Sequence, residues 1–359
     1  MNNCSQAPLT NATRAATAEF FESWNAKGMD WERWMQEVEL AKGEFAALIN
    51  AAPDEIAAVT SVSHATNVVA SALSFTSERN VVVASEAEFP TVGHVWLAHQ
   101  RAGACVRWVQ TREGAVALED YERAVDEHTA VVSATHAYYL DGFKQDVAAL
   151  ARLAHAHGAL IFVDAYQSLG TGPFDVRAAD VDFLASGTLK FLMGTPGIAF
   201  LYVRRALIEQ LHPTVTGWFG RANPFAFDAT QLDWSPTASR FEQGTPALIS
   251  AYVSRAGMAL VREVGLDAIG AWGAILSRRL AEGGAERGLT LLGPGPARPK
   301  TPTTAFLCGG RALAVEERLR QRGVIASARG TVIRLAPHFY TSLDDVDVAL
   351  DALADVLES

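Results

Sequence analysis

Between residues 80 and 203 the chain alternates short β-branched runs with helical ones, and this alternation restricts the fold more than any other feature. "NVVVASE" (80–86), "CVRWVQT" (105–111) and "TAVVSATHA" (129–137) read as strands. "DVAALARLAHAHG" (146–158) places apolar residues at helical spacing and stops on Gly158, a plausible C-cap. "ALIFVDA" (159–165), "VDFLAS" (181–186) and "GIAFLYV" (197–203) are apolar runs of strand length, as strands buried on both faces should be. The pattern predicts an α/β fold: a mostly parallel central sheet flanked by helices. Ligands of such sheets bind beyond the carboxyl ends of the strands.

The flanking regions complete the outline. Residues 13–50 read as helical, and 247–265 as a long helix leading to a smaller C-terminal α+β domain. That domain is expected to hold strands at 303–309 and 332–337, a helix at 313–323 and a closing helix at 343–357. Ser342 and Asp345 have the spacing of a capping box for the last one. The expected division is a large domain over 15–250 and a small one over 251–359, with residues 1–14 packing near the functional site.

Two charges interrupt the apolar pattern. Asp164 closes the run Leu160-Ile161-Phe162-Val163, and Lys190 sits among Phe183, Leu184, Leu189, Phe191 and Leu192. Both fall at predicted strand exits, and each is costly to bury unless it is paired or used. Lysine is also scarce: five lysines stand against 25 arginines, so a lysine inside an apolar segment is informative.

Composition narrows the function classes. A net charge of −10 argues against nucleic acid or an anionic membrane as partner, since both select for basic patches. No apolar stretch reaches the roughly 18–20 residues of a spanning helix. The opening "MNNCSQAPLTNATR" lacks a basic segment followed by an apolar one, so the expectation is a cytoplasmic protein. Three cysteines (Cys4, Cys105, Cys308) are too scattered for a thiolate metal site. His155 and His157 stand two apart on a helix and do not share a face, so no metal is expected.

An Asp-x-x-Gln at a strand end (Asp164, Gln167) is followed by a lysine and a Gly-x-x-Gly (Lys190, Gly194, Gly197). With the motifs below, this order resembles the class V aminotransferase family, a branch of the fold-type-I pyridoxal 5'-phosphate (PLP) enzymes, whose fold is aspartate aminotransferase-like. The branch holds cysteine desulfurases, kynureninases, isopenicillin-N-epimerase-like proteins and cysteine-conjugate lyases. The resemblance implies that Lys190 carries PLP as a Schiff base and that Asp164 keeps the ring nitrogen protonated. It implies that Gln167 touches the phenolic oxygen and that Phe89, in "SEAEFPTVGHVW", stacks on the ring. Ala65 and Thr66, in "SVSHATNVVASAL", would give the phosphate a helix N-terminus. Ser186 or Thr188 would add a hydroxyl. Tyr139 stands where relatives often have Asn. Thr245, in "FEQGTP", would reach the phosphate of another subunit, implying a homodimer, and Trp218, in "GWFGRANPFAFD", would lie near that subunit's site. Arg334, in "VIRLAPHFY", would clamp the α-carboxylate of an amino acid substrate. Taken singly, Phe89 also reads as core, Thr66 as a helix cap, Trp218 as interface packing and Arg334 as a surface ion-pair residue.

The reaction class follows from a missing residue. Desulfurases take up sulfur on a cysteine of a small-domain loop, and 324–340 contains none. Cys105 and Cys308 read as core residues of strands. Cys4 lies near the N-terminus with nothing in the sequence to position it. The expectation is a C–S β-lyase that cleaves an S-substituted cysteine to thiol, pyruvate and ammonia, in specialised metabolism. Transamination, epimerisation and decarboxylation-coupled deamination on the same scaffold are the alternatives. A non-catalytic binding protein is a further one, opposed by the joint presence of Lys190, Asp164 and Arg334.

Overall fold

The computed structural model describes residues 1–358 apart from 77, 113, 294 and 297. Two helices open the chain, α1 (Asn11–Lys27) and α2 (Trp31–Leu48). The helical stretch expected over 13–50 is broken at Gly28, whose φ of +69° ends α1. There follow β1 (Ile56–Val59), α3 (Val62–Ala72), β2 (Val81–Ser85), α4 (Pro90–Ala98), β3 (Cys105–Val109) and α5 (Leu118–Ala124). Then come β4 (Thr129–Thr135), α6 (Val147–Ala156), β5 (Leu160–Asp164), β6 (Phe183–Gly187), β7 (Ala199–Val203) and the short α7 (Arg205–Ile208).

These seven strands form one sheet in the order β1-β7-β6-β5-β4-β2-β3. All neighbours pair in parallel except β7, which runs antiparallel to both β6 and β1. The alternation of side chains along a strand divides the sheet into two cores. Ile161, Val163 and Leu184 enter the core under α2 and α6, and Phe162, Phe183 and Ala185 enter the core under α3 and α4. That double burial explains the unbroken apolar runs.

Two long helices, α8 (Leu248–Val264) and α9 (Leu266–Glu286), lead into the C-terminal part. It contains β8 (Leu291–Leu292), β9 (Thr304–Leu307), α10 (Ala312–Gln321), β10 (Ser327–Arg329), β11 (Val332–Leu335) and α11 (Leu343–Glu358). Its antiparallel sheet runs β10-β11-β9-β8. Ala251, Met258 and Val261 of α8 and Ile269 of α9 lie in the large core, whereas Leu276 and Leu280 lie in the small one. The hand-over between cores therefore falls within α9, beyond the boundary at 251 read from sequence. The capping box forms: Asp345 N donates to Ser342 Oγ (3.0 Å) and Ser342 N to Asp345 Oδ2 (2.8 Å). Among the described residues no helix is long and apolar enough to cross a membrane.

Candidate active site

A cavity of about 310 Å³ opens at the carboxyl ends of β4, β5 and β6. The parallel register sets Thr135 beside Asp164, and Asp164 beside Ala185, so the last residues of three strands share one edge. Asp164 is 4 % exposed. Its Oδ1 accepts the Tyr166 N–H at 2.9 Å, and among the described residues Oδ2 accepts no hydrogen bond. Burial holds this carboxyl above the usual range, with the Tyr166 N–H and Lys190 pulling the other way.

Lys190 lies in the turn after β6. Gly187 shapes that turn, because a Cβ there would stand 2.2 Å from the Tyr166 ring. Close approach lets the Tyr166 ring lie under the lysine, with Nζ 4.1 Å from the Tyr166 centroid and 5.6 Å from that of Phe89. Burial lowers the Lys190 ammonium to about 8, against the opposing pull of Asp164. Phe89 and Tyr139 form one wall, their rings edge to face at 5.3 Å.

The opposite wall comes from the small sheet and the N-terminus. Arg334 on β11 is 1 % exposed and lines the cavity. Its Nη1 donates to the Tyr139 carbonyl (2.6 Å), and its Nη2 to the hydroxyls of Ser327 (2.7 Å) and Ser5 (3.1 Å). Arg334 Nε has no partner among the described residues. A buried, orphaned N–H on a cation is a ready donor for a carboxylate.

Several expectations shift. Ala65 and Thr66 do not reach the cavity: they lie one turn into α3, where the Thr66 hydroxyl donates to the Val62 carbonyl (2.8 Å). Ser61, Val62 and Ser63 line it instead, with Ser61 capping the helix through the His64 N–H (3.1 Å). Thr188 is buried elsewhere, its hydroxyl paired with Ser254 (2.7 Å), and the Ser186 hydroxyl donates to the Gly187 carbonyl (2.8 Å). Gln167 is in place, but its Nε2 donates to the Cys4 carbonyl (3.1 Å), leaving Oε1, a buried acceptor, without a partner. It therefore offers the cavity an acceptor, not the donor that a phenolate oxygen needs. Trp218 stands in a separate aromatic cluster, stacked with Trp31 at 6.1 Å beside a second cavity of about 600 Å³. Thr245 is exposed and outside the cavity of its own chain. Cys105, expected in the core, is exposed on the edge strand β3.

Four cavity residues escaped the sequence reading: Cys4, Ser5, Tyr166 and Arg329. Tyr166 was reachable, as an aromatic inside Asp-x-x-Gln. The N-terminal pair was not, because only tertiary contacts bring residues 4 and 5 to residue 334.

The donor set fits a PLP group: an amine and a carboxylate with a free oxygen at neighbouring strand exits, an aromatic face at Phe89, and a helix N-terminus at Val62 and Ser63 for a phosphate.

The family model described as Aminotransferase class-V matches residues 3–337. The chain is 38 % identical over 352 residues to the uncharacterized aminotransferase YcbU of Bacillus subtilis, covering 98 % of this chain and 92 % of that one. It is 34 % identical over 259 residues to a probable cysteine desulfurase of Methanothermobacter thermautotrophicus, covering 68 % and 62 %. Among solved structures it superposes on the cystine C–S lyase C-DES, in complex with its reaction product cysteine persulfide, with a TM-score of 0.89 at 19 % identity, over 99 % of this chain and 96 % of the other.

Proposed function

The chain belongs to the class V aminotransferase family, whose cofactor is pyridoxal 5'-phosphate, and from that premise we propose that it eliminates a thiol from the β-carbon of an S-substituted cysteine. Lys190 would hold the cofactor covalently, Asp164 its ring nitrogen, Phe89 its ring face, and the first amides of α3 its phosphate. When bound, the cofactor supplies an electron sink for the substrate α-carbon. Arg334 orients the substrate by its carboxylate, which takes the free Nε and displaces a serine hydroxyl from Nη2. Lys190 receives the α-proton on Nζ. Its burial leaves a larger neutral fraction near neutral pH than an ordinary lysine has, so it serves as a base without a further partner. A thiolate departing on its own organic group needs no protein thiol to receive it.

The observation that carries this reading is that Lys190, Asp164 and Arg334 share one cavity in which Lys190 Nζ makes no hydrogen bond among the described residues. Purified holoenzyme given S-substituted cysteines should release pyruvate and thiol together, and Lys190→Ala should abolish both. Loss of substrate without thiol would overturn the reading. An aminotransferase is the second reading, favoured by the name of the Bacillus subtilis relative. It would leave the substrate nitrogen on the cofactor, recovered in its amine form with no thiol released.

The proposed assembly is a homodimer. Thr245 and the aromatic segment around Trp218 lie outside their own cavity, and Phe225 and Phe227 of that segment are 45 % and 76 % exposed.

A further inference from the structure

Cys4 is 1 % exposed and lines the same cavity as Lys190 and Arg334. The segment bearing it is strapped to both parts of the molecule. Asn3 N and Nδ2 donate to the Ala336 carbonyl at 3.2 and 2.8 Å, next to β11. Ala7 N donates to the Leu189 carbonyl at 2.9 Å, and Gln6 Nε2 to the Gly194 carbonyl at 3.3 Å, both in the lysine-bearing turn. Gln167 fixes Cys4 itself through its carbonyl. The thiol acts electrostatically on both Lys190 and Arg334, so a sulfur anion here is matched by two cations. Two buried groups of the same cavity await a ligand: Gln167, 7 % exposed, with Oε1 unpartnered, and Arg334 with Nε unpartnered. A small thiol is thus held rigidly where sulfur would be released.

We propose that Cys4 is a sulfur-accepting residue, and that the substrates it serves are disulfide-type cysteine conjugates such as L-cystine. The proposal rests on the β-elimination reading, because elimination from a disulfide conjugate leaves a persulfide, R–S–SH, inside the cavity. The Cys4 sulfur attacks the terminal sulfur of that persulfide. A new S–S bond forms at Cys4, the original S–S bond breaks, and its electron pair leaves with R–S⁻. The Cys4 proton passes to that thiolate, so that Cys4–SH and R–SSH become Cys4–SSH and R–SH with no external oxidant or reductant.

Holoenzyme is incubated with L-cystine in one arm and with preformed cysteine persulfide in another, alkylated, and digested with trypsin. Cleavage after Arg14 isolates Cys4 on the peptide 1–14. The expected result in both arms is a stoichiometric gain of one sulfur atom on that peptide, removed by dithiothreitol. It should persist in Cys105→Ser, whose exposed thiol is the competing target, and vanish in Cys4→Ala. Unmodified peptide 1–14 in the persulfide arm, or sulfur found on Cys105 or Cys308 instead, would overturn the proposal. Pyruvate missing in the cystine arm while the persulfide arm still labels Cys4 would sink the elimination reading alone.

Discussion

A buried lysine and a buried acid dominate the site, and each titrates outside its ordinary range. Lys190 has an ammonium lowered from 10.5 to about 8 by burial, so the amine that captures a carbonyl is more abundant than on a solvated lysine. The rate at which apoprotein takes up PLP, followed by absorbance, should therefore rise with pH to a midpoint near 8; a midpoint near 10.5 would show a solvated lysine. Glu88 is a second group of this kind, 5 % exposed, next in sequence to Phe89. Its Oε1 accepts from Ser133 at 3.2 Å, and its Oε2 has no partner among the described residues. Burial first, and Asp164 second, push it from 4.5 to about 8. Below pH 4.5 the folded and unfolded chains both hold this proton. As pH rises to 8 the unfolded chain loses it first, so this acid costs increasing stability over that window. Glu88→Gln should remove the cost. In urea titrations of apoprotein, its stability relative to wild type should improve by roughly 3–5 kcal/mol between pH 4.5 and 8.5. A difference independent of pH would show that Glu88 is already ionised in the fold.

Elements position these residues more than they supply chemistry. The strands end in register, which sets Thr135, Asp164 and the turn after β6 along one edge. The helix α3 starts at Val62 behind an extended Ser61 (φ −167°, ψ 165°), so its first amides face the cavity. This geometry allows a selective test. Proline is tolerated at a first helical position after an extended residue, and it removes one N–H. Val62→Pro should keep the fold, lose about 1 kcal/mol of packing from a buried valine, and weaken PLP retention roughly tenfold or more, the worth of one hydrogen bond to a charged group. Unchanged retention on equilibrium dialysis would remove α3 from phosphate binding. The sequence reading found this helix but chose Ala65 and Thr66 on it. Serine and threonine both suit a helix start, and only the observed cap, Ser61 on the His64 N–H, fixes the register.

At the scale of the whole molecule, the cavity exists because three remote parts of the chain meet: the strand exits of the large sheet, β11 of the small one, and the first residues of the chain. The proposed dimer would add a fourth. Wild-type protein should sediment at twice the 38.5 kDa of one chain. Phe227→Asp places a charge on a residue 76 % exposed whose φ of +51° suits aspartate. The variant should sediment as a single chain and retain PLP poorly; a dimer that survives the charge would place the contact elsewhere. The sequence by itself determined the strand-and-helix order, the mostly parallel sheet and the pairing of Asp164 with Lys190. Local periodicity and the cost of burying a charge are written in neighbouring residues. Only the tertiary structure decided that β7 reverses, that Thr188 turns to Ser254 and that Gln167 gives its N–H to Cys4. It also brought Cys4 and Ser5 across the fold to Arg334. Such choices depend on which partners arrive in space, and a hydrogen bond between residues separated by most of the chain leaves no spacing for a sequence to display.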